Sequence, residues 1–394
     1  MRRKINIVGI TVLCCLLFSL NAAGQVTKRL QWVQHYLDST AKAKVDQRYI
    51  EVPDKPWRVI LRYNTNGINV NYEQKLDFPQ TNEQAEWKLR FEPPMAASVG
   101  FWVGYRGTGL SYYYSLAKNA GRYFTLSSTG AKYGLMFRLR RFNVSDATFS
   151  AEDSQNGQTV NEYETHGTMP SPVWIRSAYL NGYYVFNGRR YSQAAAYNQS
   201  VIQRRSAGSF LIGATWYQSS FDYSDIDNYV FMIIGRGIHR IKVHQANIGF
   251  GYGYNFVPFR GLVINAMTMP TLSVYNRVKV YKYDFNYELT PETDEVDDYG
   301  EWNPQTKTWA NGKSKKPVFL ATGPNDVVYY WDQESEVDYS ALHLNVDLRL
   351  GIAYNWKNYY IGLQARFNNF TYKKDDSKVT LTEGYAQMSL GVRL

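Results

Sequence analysis

Strict two-residue alternation of apolar and polar side chains is the feature that most constrains this sequence. In the stretch ALHLNVDLRLGIAYNW, leucine, valine or isoleucine occupies every second position from Leu342 to Ile352. Histidine, asparagine, aspartate, arginine and glycine fill the positions between them. Successive side chains of a β-strand point to opposite faces, so the stretch predicts a strand with lipid on one side and water on the other. A transmembrane strand needs about 9 to 11 residues, which is the length of this run.

The alternation recurs along the chain, and it predicts an all-β fold. No second long apolar run follows the N-terminal one, which excludes transmembrane helices from the rest of the sequence. We expect an antiparallel transmembrane β-barrel of about 12 strands, within a range of 10 to 14, with a short N-terminal helical arm. A soluble β-sandwich also alternates and remains the alternative fold. Four further segments carry the pattern: YGLMFRLRRF, HQANIGFGYGYNF, YYIGLQARFNNF and AQMSLGVRL.

The N-terminus has the three parts of a secretory signal peptide. A basic start, Arg2 to Lys4, precedes an apolar run from Ile5 to Leu20, and the small residues Ala22 to Gly24 follow. We predict a signal peptide over residues 1–24, cleaved before Gln25. An uncleaved anchor and a lipoprotein are the alternatives.

Both cysteines, Cys14 and Cys15, lie in the apolar part of this leader. A mature exported chain without cysteine has to be stabilised by something other than disulfides, and a closed sheet is one solution. The net charge of +10 includes the leader's three cations, so the mature chain carries about +7, which does not argue for nucleic-acid binding.

Three regions are expected. Residues 1–24 form the signal peptide, residues 25–56 a periplasmic helical and extended arm, and residues 57–394 an outer-membrane barrel. Short turns are predicted at Asn64, Val257, Asn355 and Lys373. Long loops are predicted near residues 145–172, 221–243 and 284–340, because barrels have short turns at one end and long loops at the other.

The segment from Tyr183 to Gly213 breaks the alternation with glycines and two arginine pairs, at Arg189 and Arg204. Asn187-Gly188 is a strong two-residue turn signal. We expect this segment to form two hairpin corners of the barrel, with the arginine pairs at membrane–water boundaries.

The pieces YYVFNGRRYS and QRRSAGS, with DQRYIEVPDKPW upstream and GFGYGYNFVP downstream, resemble an uncharacterised family of exported Gram-negative proteins, domain of unknown function 4421. The resemblance covers residues 46–394 and implies an exported, barrel-like protein. The family has no agreed activity, so the resemblance implies no catalytic residue. The acidic segment 284–316 does not take part in it.

Alternation also assigns polar side chains to the barrel interior. A lipid-facing arginine near the membrane midplane costs about 2 to 4 kcal/mol, so arginines deep in the strands should point inward. His343, Asn345 and Asp347 form a polar ladder on the inward face of one strand. Since Asp347 and Glu383 are the only evident inward acids, we expect a positive lumen. The inward basic cluster is predicted to be Arg58, Arg62, Arg138, Arg140, Arg349, Arg366 and Arg393.

Signals for catalysis or metal binding are weak. His343 with Asp347, joined by Ser389 from the last strand, would resemble a hydrolase site, but period-two placement alone puts such residues on one face. The acidic run PETDEVDDYGEWNP could offer oxygen ligands to Ca²⁺, although its spacing does not match an EF-hand loop. We therefore assign no catalytic residue, no metal site and no cofactor.

The sequence thus predicts an outer-membrane barrel that is either structural or a small channel with a positively charged lumen. The alternatives are an outer-membrane lipid-acting hydrolase and a soluble periplasmic β-sandwich binding protein. Expected partners are outer-membrane lipids, including lipopolysaccharide-type phosphates, and the barrel assembly machinery. Small anions are candidate ligands, and nucleic acid is not expected.

Overall fold

The computed structural model of the chain describes its strands and most of its turns. All statements below concern the described residues, which are 34, 35, 38, 44–78, 82–91, 96–116, 121–156, 158–228, 232, 238–285, 302–303, 308–309, 318–322, 328–339, 342–374 and 377–394.

Twelve of the described strands form one closed antiparallel ring. Each ring strand pairs with its ring neighbours, and the pairing of β11 with β12 closes the sheet. The ring confirms the predicted barrel of about 12 strands and excludes a two-sheet sandwich. The ring strands are β2 (Trp57–Phe78), β4 (Ala96–Tyr105), β5 (Thr108–Ser115), β6 (Arg122–Thr129), β7 (Tyr133–Gln155), β8 (Gln158–Val185), β10 (Ala207–Asp222), β11 (Ile238–Phe256), β12 (Leu262–Phe285), β17 (Leu344–Trp356), β18 (Tyr359–Lys374) and β19 (Ser377–Arg393).

The remaining described elements are short or lie outside the ring. A single-turn helix α1 (Ala194–Tyr197) and a 3-10 turn (Ile226–Asn228) complete the set. In the described part of the chain, no helix is long and apolar enough to cross a membrane. The other strands are β1 (Ile50–Glu51), β3 (Glu83–Phe91), β9 (Ile202–Gln203), β13 (Trp302–Asn303), β14 (Thr308–Trp309), β15 (Val318–Thr322) and β16 (Val328–Tyr339).

The two ends of the barrel differ. At one end, here called the turn end, neighbouring strands are joined by tight connections such as those at Arg106 and Lys357, whose backbones adopt positive φ. The start of β2 and the end of β19 meet at the same end, where Leu394 donates its N–H to the carbonyl of Trp57. The opposite end, the loop end, contains the longest connection, from β12 to β17, whereas the long connection from β8 to β10 lies at the turn end.

The outer surface carries an apolar band around the ring at the turn-end half of the strands. Leucine, isoleucine and phenylalanine side chains such as Leu135, Ile248 and Leu350 point outward and are exposed. Exposed aromatic residues, including Trp57 and Tyr354, flank the band near the turn end. Transmembrane barrels have such a band with aromatic girdles, because the rings suit the membrane–water interface.

Beyond the band, several strands continue toward the loop end, and their inward faces become apolar. There the side chains of eight ring strands meet in one hydrophobic cluster inside the ring, here called the loop-end core. The rings of Tyr217 on β10 and Phe370 on β18 stack at 4.6 Å, although these strands are not neighbours. The core therefore fills the interior from wall to wall.

The loop predicted near residues 145–172 is instead a long hairpin made by β7 and β8, with its turn at residue 156. The hairpin extends past the apolar band, where its outer face and its tip are exposed to water. Its residues there are polar, as in a loop, which is why the sequence indicated one. The residues from Met169 to Pro172 sit opposite Ser145 in a register irregularity between Val144 and Asp146. Proline lacks the N–H that a regular ladder needs, so a bulge is where it fits.

Two other expectations change at particular residues. The turn predicted at Asn64 is absent, because Asn64 lies inside β2 with its side chain buried in the barrel. The expected loop near residues 284–340 contains strands in its described parts, including β16, which pairs with the loop-end half of β12. Of the arm's predicted helix, the described residues Gln34, His35 and Asp38 have helical backbone.

The outer band generates a stability prediction. Leu350→Arg places a charge on the outward face of β17 and should lower the free energy of unfolding by about 2 to 4 kcal/mol if the band faces lipid. Val160→Arg makes the same chemical change on the exposed tip of β8, and it should cost less than about 0.5 kcal/mol. Urea unfolding in lipid vesicles measures both, and equal losses would contradict a lipid-facing band.

Candidate functional site

The connection between β8 and β10 folds into the turn end of the barrel. This segment, residues 186–206, is called the plug. Its helix α1 has Ala195 and Ala196 fully buried, and Tyr191 is also fully buried in a cluster with Met267 and Met269 of β12. The prediction that this segment forms two hairpin corners is therefore wrong. Asn187-Gly188 does turn the chain, but in a right-handed turn in which Arg190 and Tyr191 donate to the Asn187 carbonyl, and the chain then enters the lumen.

Lumen-facing glycines make room for the plug on the barrel wall. A Cβ at Gly351 would lie 3.2 Å from the Cβ of Ala196, and one at Gly253 would collide with the hydroxyl of Tyr191. A backbone without a side chain is what permits such a close approach. On the outer side, β1 of the arm pairs with β9 of the plug, so the arm covers the plug from the turn end.

The arm is tied to the plug by further polar contacts. Asp46 donates its N–H to the Arg189 carbonyl at 2.8 Å, and Glu51 pairs with Arg204 at 2.8 Å. Hydrogen bonds from the side chain and backbone of Arg48 lower the pKa of the Asp46 carboxyl to about 2. Asp46 is therefore ionised at neutral pH, and the turn that it forms with Arg48 persists.

Two of the predicted lumen arginines hold the plug by its backbone. Arg58 and Arg393 are 1% and 2% exposed. Arg58 stacks over the ring of Trp102 at 4.6 Å and donates to the carbonyl of Asn198. Arg393 lies over Tyr360 and donates to the carbonyl of Gln199 at 3.1 Å. The aromatic faces offset part of the cost of burying these cations.

Four other predicted arginines form a ring of charges at mid-height, here called the arginine belt: Arg138, Arg140, Arg349 and Arg366. Asp347 accepts bidentate bonds from Arg349, at 2.6 and 3.0 Å, and another from Arg366 at 2.9 Å. Glu383 accepts from Nη2 of Arg138 at 2.6 and 2.7 Å. Arg140 reaches the same carboxylate at 3.4 Å.

The belt crosses the lumen. Arg138 is on β7 and Glu383 on β19, which are separated by four other strands in the ring order. Arg366 on β18 donates to the hydroxyl of Tyr179 on β8, and Arg349 on β17 donates to Oδ1 of Asn181 at 2.9 Å. These contacts connect opposite walls, so the belt fills the middle of the barrel with paired polar groups.

Positive charge exceeds negative charge inside the barrel. Among the described residues with buried side chains, six are arginines and two are carboxylates, Asp347 and Glu383. Arg62 is the remaining member of the predicted cluster. It is 8% exposed and donates to the hydroxyl of Tyr113 at 2.9 Å. All seven predicted arginines thus lie inside the ring: two hold the plug, four form the arginine belt, and Arg62 contacts Tyr113.

The predicted polar ladder is split. Asn345 and Asp347 are buried, and Nδ2 of Asn345 donates to Oδ1 of Asn247 on β11 at 3.2 Å. His343 is half-buried at the loop end, where its Nε2 accepts the N–H of Lys373 at 3.2 Å. The ladder therefore runs from the belt to the loop-end rim.

The residues considered for a hydrolase site are not brought together. Ser389 pairs in register with Gly362 of β18, whereas His343 contacts Lys373 near the other end of that strand. The eleven residues between these points correspond to about 36 Å at about 3.3 Å per residue. Asp347 is held by two arginines instead of a histidine.

The acidic run considered for Ca²⁺, with Glu292 to Glu301, lies outside the described residues. Among the residues that the structure does describe, no group of three or more His, Cys, Asp or Glu side chains could hold a metal ion.

Sequence reasoning missed the neutral groups that bridge the arginines. Tyr179 and Asn181 lie two apart in β8 and face inward together with Tyr183. Leu180 between them points outward, so the period of two could have identified Tyr179 and Asn181 as inward residues. The plug residues Gln193 and Asn198 carried no such signal, because they lie where the chain leaves the sheet.

The family profile described as Domain of unknown function (DUF4421) matches residues 44–393 of the chain. No curated protein matches. Among solved structures, the outer membrane protease OmpT from Escherichia coli aligns at 8% identity over 87% of this chain and 97% of its own, with a TM-score of 0.33. The translocator domain of the autotransporter NalP from Neisseria meningitidis aligns at 7% identity over 94% of this chain and 98% of its own, with a TM-score of 0.29. Because these TM-scores are low, neither likeness supports the fold assignment, which rests on the strand pairing within this chain.

The belt generates a second stability prediction. Glu383→Gln leaves Arg138 and Arg140 buried without their carboxylate, and breaking a buried pair costs about 3 to 5 kcal/mol. The control Glu73→Gln breaks the more exposed pair with Lys378, which spans 2.9 Å, and should cost at most about 1 kcal/mol. Urea unfolding followed by tryptophan fluorescence measures both variants. Equal losses would show that the belt does not hold the barrel walls together.

Proposed function

We propose that this chain, which belongs to the family Domain of unknown function (DUF4421), is an outer-membrane barrel with a filled lumen that serves as a structural scaffold. The observation that carries this proposal is the loop-end core, in which buried side chains from opposite walls pack together inside the ring. A water-filled channel requires a polar, hydrated path from end to end, and an apolar, close-packed layer removes it.

The outer surface supports the membrane assignment. The apolar band and its aromatic flanks would be costly to expose to water, and the closed ring leaves no unpaired strand edge in lipid. With the turn end in the periplasm, the arm and the plug lie on the periplasmic side. The exposed arginine pairs at Arg189 and Arg204 would then lie near lipid phosphates at that boundary.

Three successive closures support a non-conducting lumen. The plug closes the turn end, the arginine belt crosses the middle, and the loop-end core fills the other end. The strands that continue beyond the apolar band, above all β7 and β8, would be presented outside the cell on this rigid base.

The charge imbalance favours a second candidate, an anion-selective channel. A positive interior concentrates anions, so if a path opened through the lumen we would expect anion selectivity. That function requires the plug, the arginine belt and the loop-end core all to move, since any one of them blocks the path.

Planar-bilayer recording tests the filled lumen. We expect no conductance steps from the refolded protein, and none when residues 189–206 are replaced by an Asn-Gly turn, because the loop-end core still closes the barrel. The replacement is feasible because the chain at residues 186 and 210 is already hydrogen-bonded as a hairpin. Adding Tyr217→Ala and Phe370→Ala to the plug replacement leaves the arginine belt across the middle, so any path that opens should run past those arginines and be anion-selective.

Different migration on a detergent gel before and after boiling verifies that each variant is folded. Steady conductance of the unmodified protein would contradict the filled lumen and, if anion-selective, would favour the channel. Cation selectivity of any open variant would contradict the positive interior.

A further inference from the structure

A cavity of about 120 Å³ lies between the plug and the arginine belt. It is large enough for several waters or one small anion. Among the described residues, four arginines line it, Arg62, Arg138, Arg349 and Arg366, and no Asp or Glu side chain does. The carboxylates of Asp347 and Glu383 pair with belt arginines and are not among the residues that line the cavity.

Three residues that line this cavity each have a buried N–H donor without a hydrogen-bond partner among the described residues. The donors are Nε of Arg62, Nδ2 of Asn181 and Nε2 of Gln193. The orientation of both amides is set by their other ends, because Oδ1 of Asn181 accepts from Arg349 and Oε1 of Gln193 accepts from Tyr191. Leaving a buried donor without an acceptor is costly, so the cavity is built for an acceptor.

The donors come from three different parts of the fold. Arg62 is on β2, Asn181 is on β8 and Gln193 is in the plug. Convergence of donors from separate elements, with a positive field and no acid in the lining, is the arrangement that recognises an oxyanion.

The cavity borders a larger space at the turn end. A larger groove of about 630 Å³ runs between the arm, the plug and the barrel rim, and Thr129 lines both this groove and the inner cavity. The charged residues that the structure describes in the groove lining are all basic: Lys44, Arg106, Lys132 and Arg189. Such a groove attracts anions toward the cavity from the periplasmic side.

We propose that the cavity between the plug and the arginine belt binds one small oxyanion, of the sulfate or phosphate class, held by Arg62, Asn181 and Gln193. Because every unpartnered group is a donor, an anion that only accepts hydrogen bonds is satisfied without a donor of its own. The site does not require a conducting lumen, since the anion enters and leaves by the turn end.

Equilibrium dialysis of the refolded full-length mature protein against labelled sulfate, and separately inorganic phosphate, at constant ionic strength in chloride tests this site. We expect one saturable site per chain. Arg62→Gln should weaken binding by about tenfold to a hundredfold, the usual effect of losing a charge-assisted hydrogen bond. Gln193→Leu keeps the charge and removes one donor, so it should weaken binding by about fivefold.

The matched control is Arg240→Gln, which removes one positive charge from the wall of β11 at a position that does not line the cavity. Its affinity should stay within about twofold of the unmodified protein, because the loss of a distant charge is screened. If Arg62→Gln and Arg240→Gln weakened anion binding equally, binding would depend on overall charge and not on this site, and the proposal would be overturned.

Absence of saturable binding to the unmodified protein would also overturn it, and would mean that water alone satisfies the three donors. If Arg62→Gln fails to fold, Gln193→Leu decides between these outcomes. Conductance plays no part in this assay, so an open lumen would contradict the proposed scaffold without affecting the anion site.

Discussion

The Arg138–Glu383 ion pair joins two strands that are not neighbours in the ring, and so it ties opposite walls of the barrel together. Its position follows from one constraint: a charged side chain cannot face the lipid without a large cost, so the arginines in the strands must point inward. Inside, an unpaired charge would also be costly, so each carboxylate serves two arginines. The need to pair these charges fills the middle of the lumen.

The remaining layers follow from where each part of a strand lies. Within the apolar band the outward positions are hydrophobic and the inward ones polar, as in Leu350 and Arg349 of β17. Past the band the preference reverses, and inward residues such as Val379 and Leu381 of β19 become apolar. The barrel is therefore built like a membrane protein at the turn end and like a water-soluble protein at the loop end.

Local alternation predicted the strand faces, because a period of two depends only on neighbouring residues. Arg349, Arg366 and Asn345 lie on the side that it assigned to them, and the ring has the expected number of strands. Alternation could not predict the plug, since Ala194 to Ala196 carry no strand period and pack against residues far away in sequence, such as Gly351. Alternation also could not distinguish a loop from a hairpin that extends out of the membrane. Residues 145–172 were therefore expected to form a loop.

The filled lumen is the central claim, and the accessibility of a single cysteine in the loop-end core tests it most directly. With the two native cysteines replaced, Val173→Cys introduces a thiol at a position that is 0% exposed, and Val160→Cys one that is 59% exposed. A filled lumen predicts that a water-soluble maleimide labels the first at least about a thousandfold more slowly than the second, because labelling then requires local unfolding. Similar labelling rates in the folded protein would show that water reaches the interior and would contradict the claim.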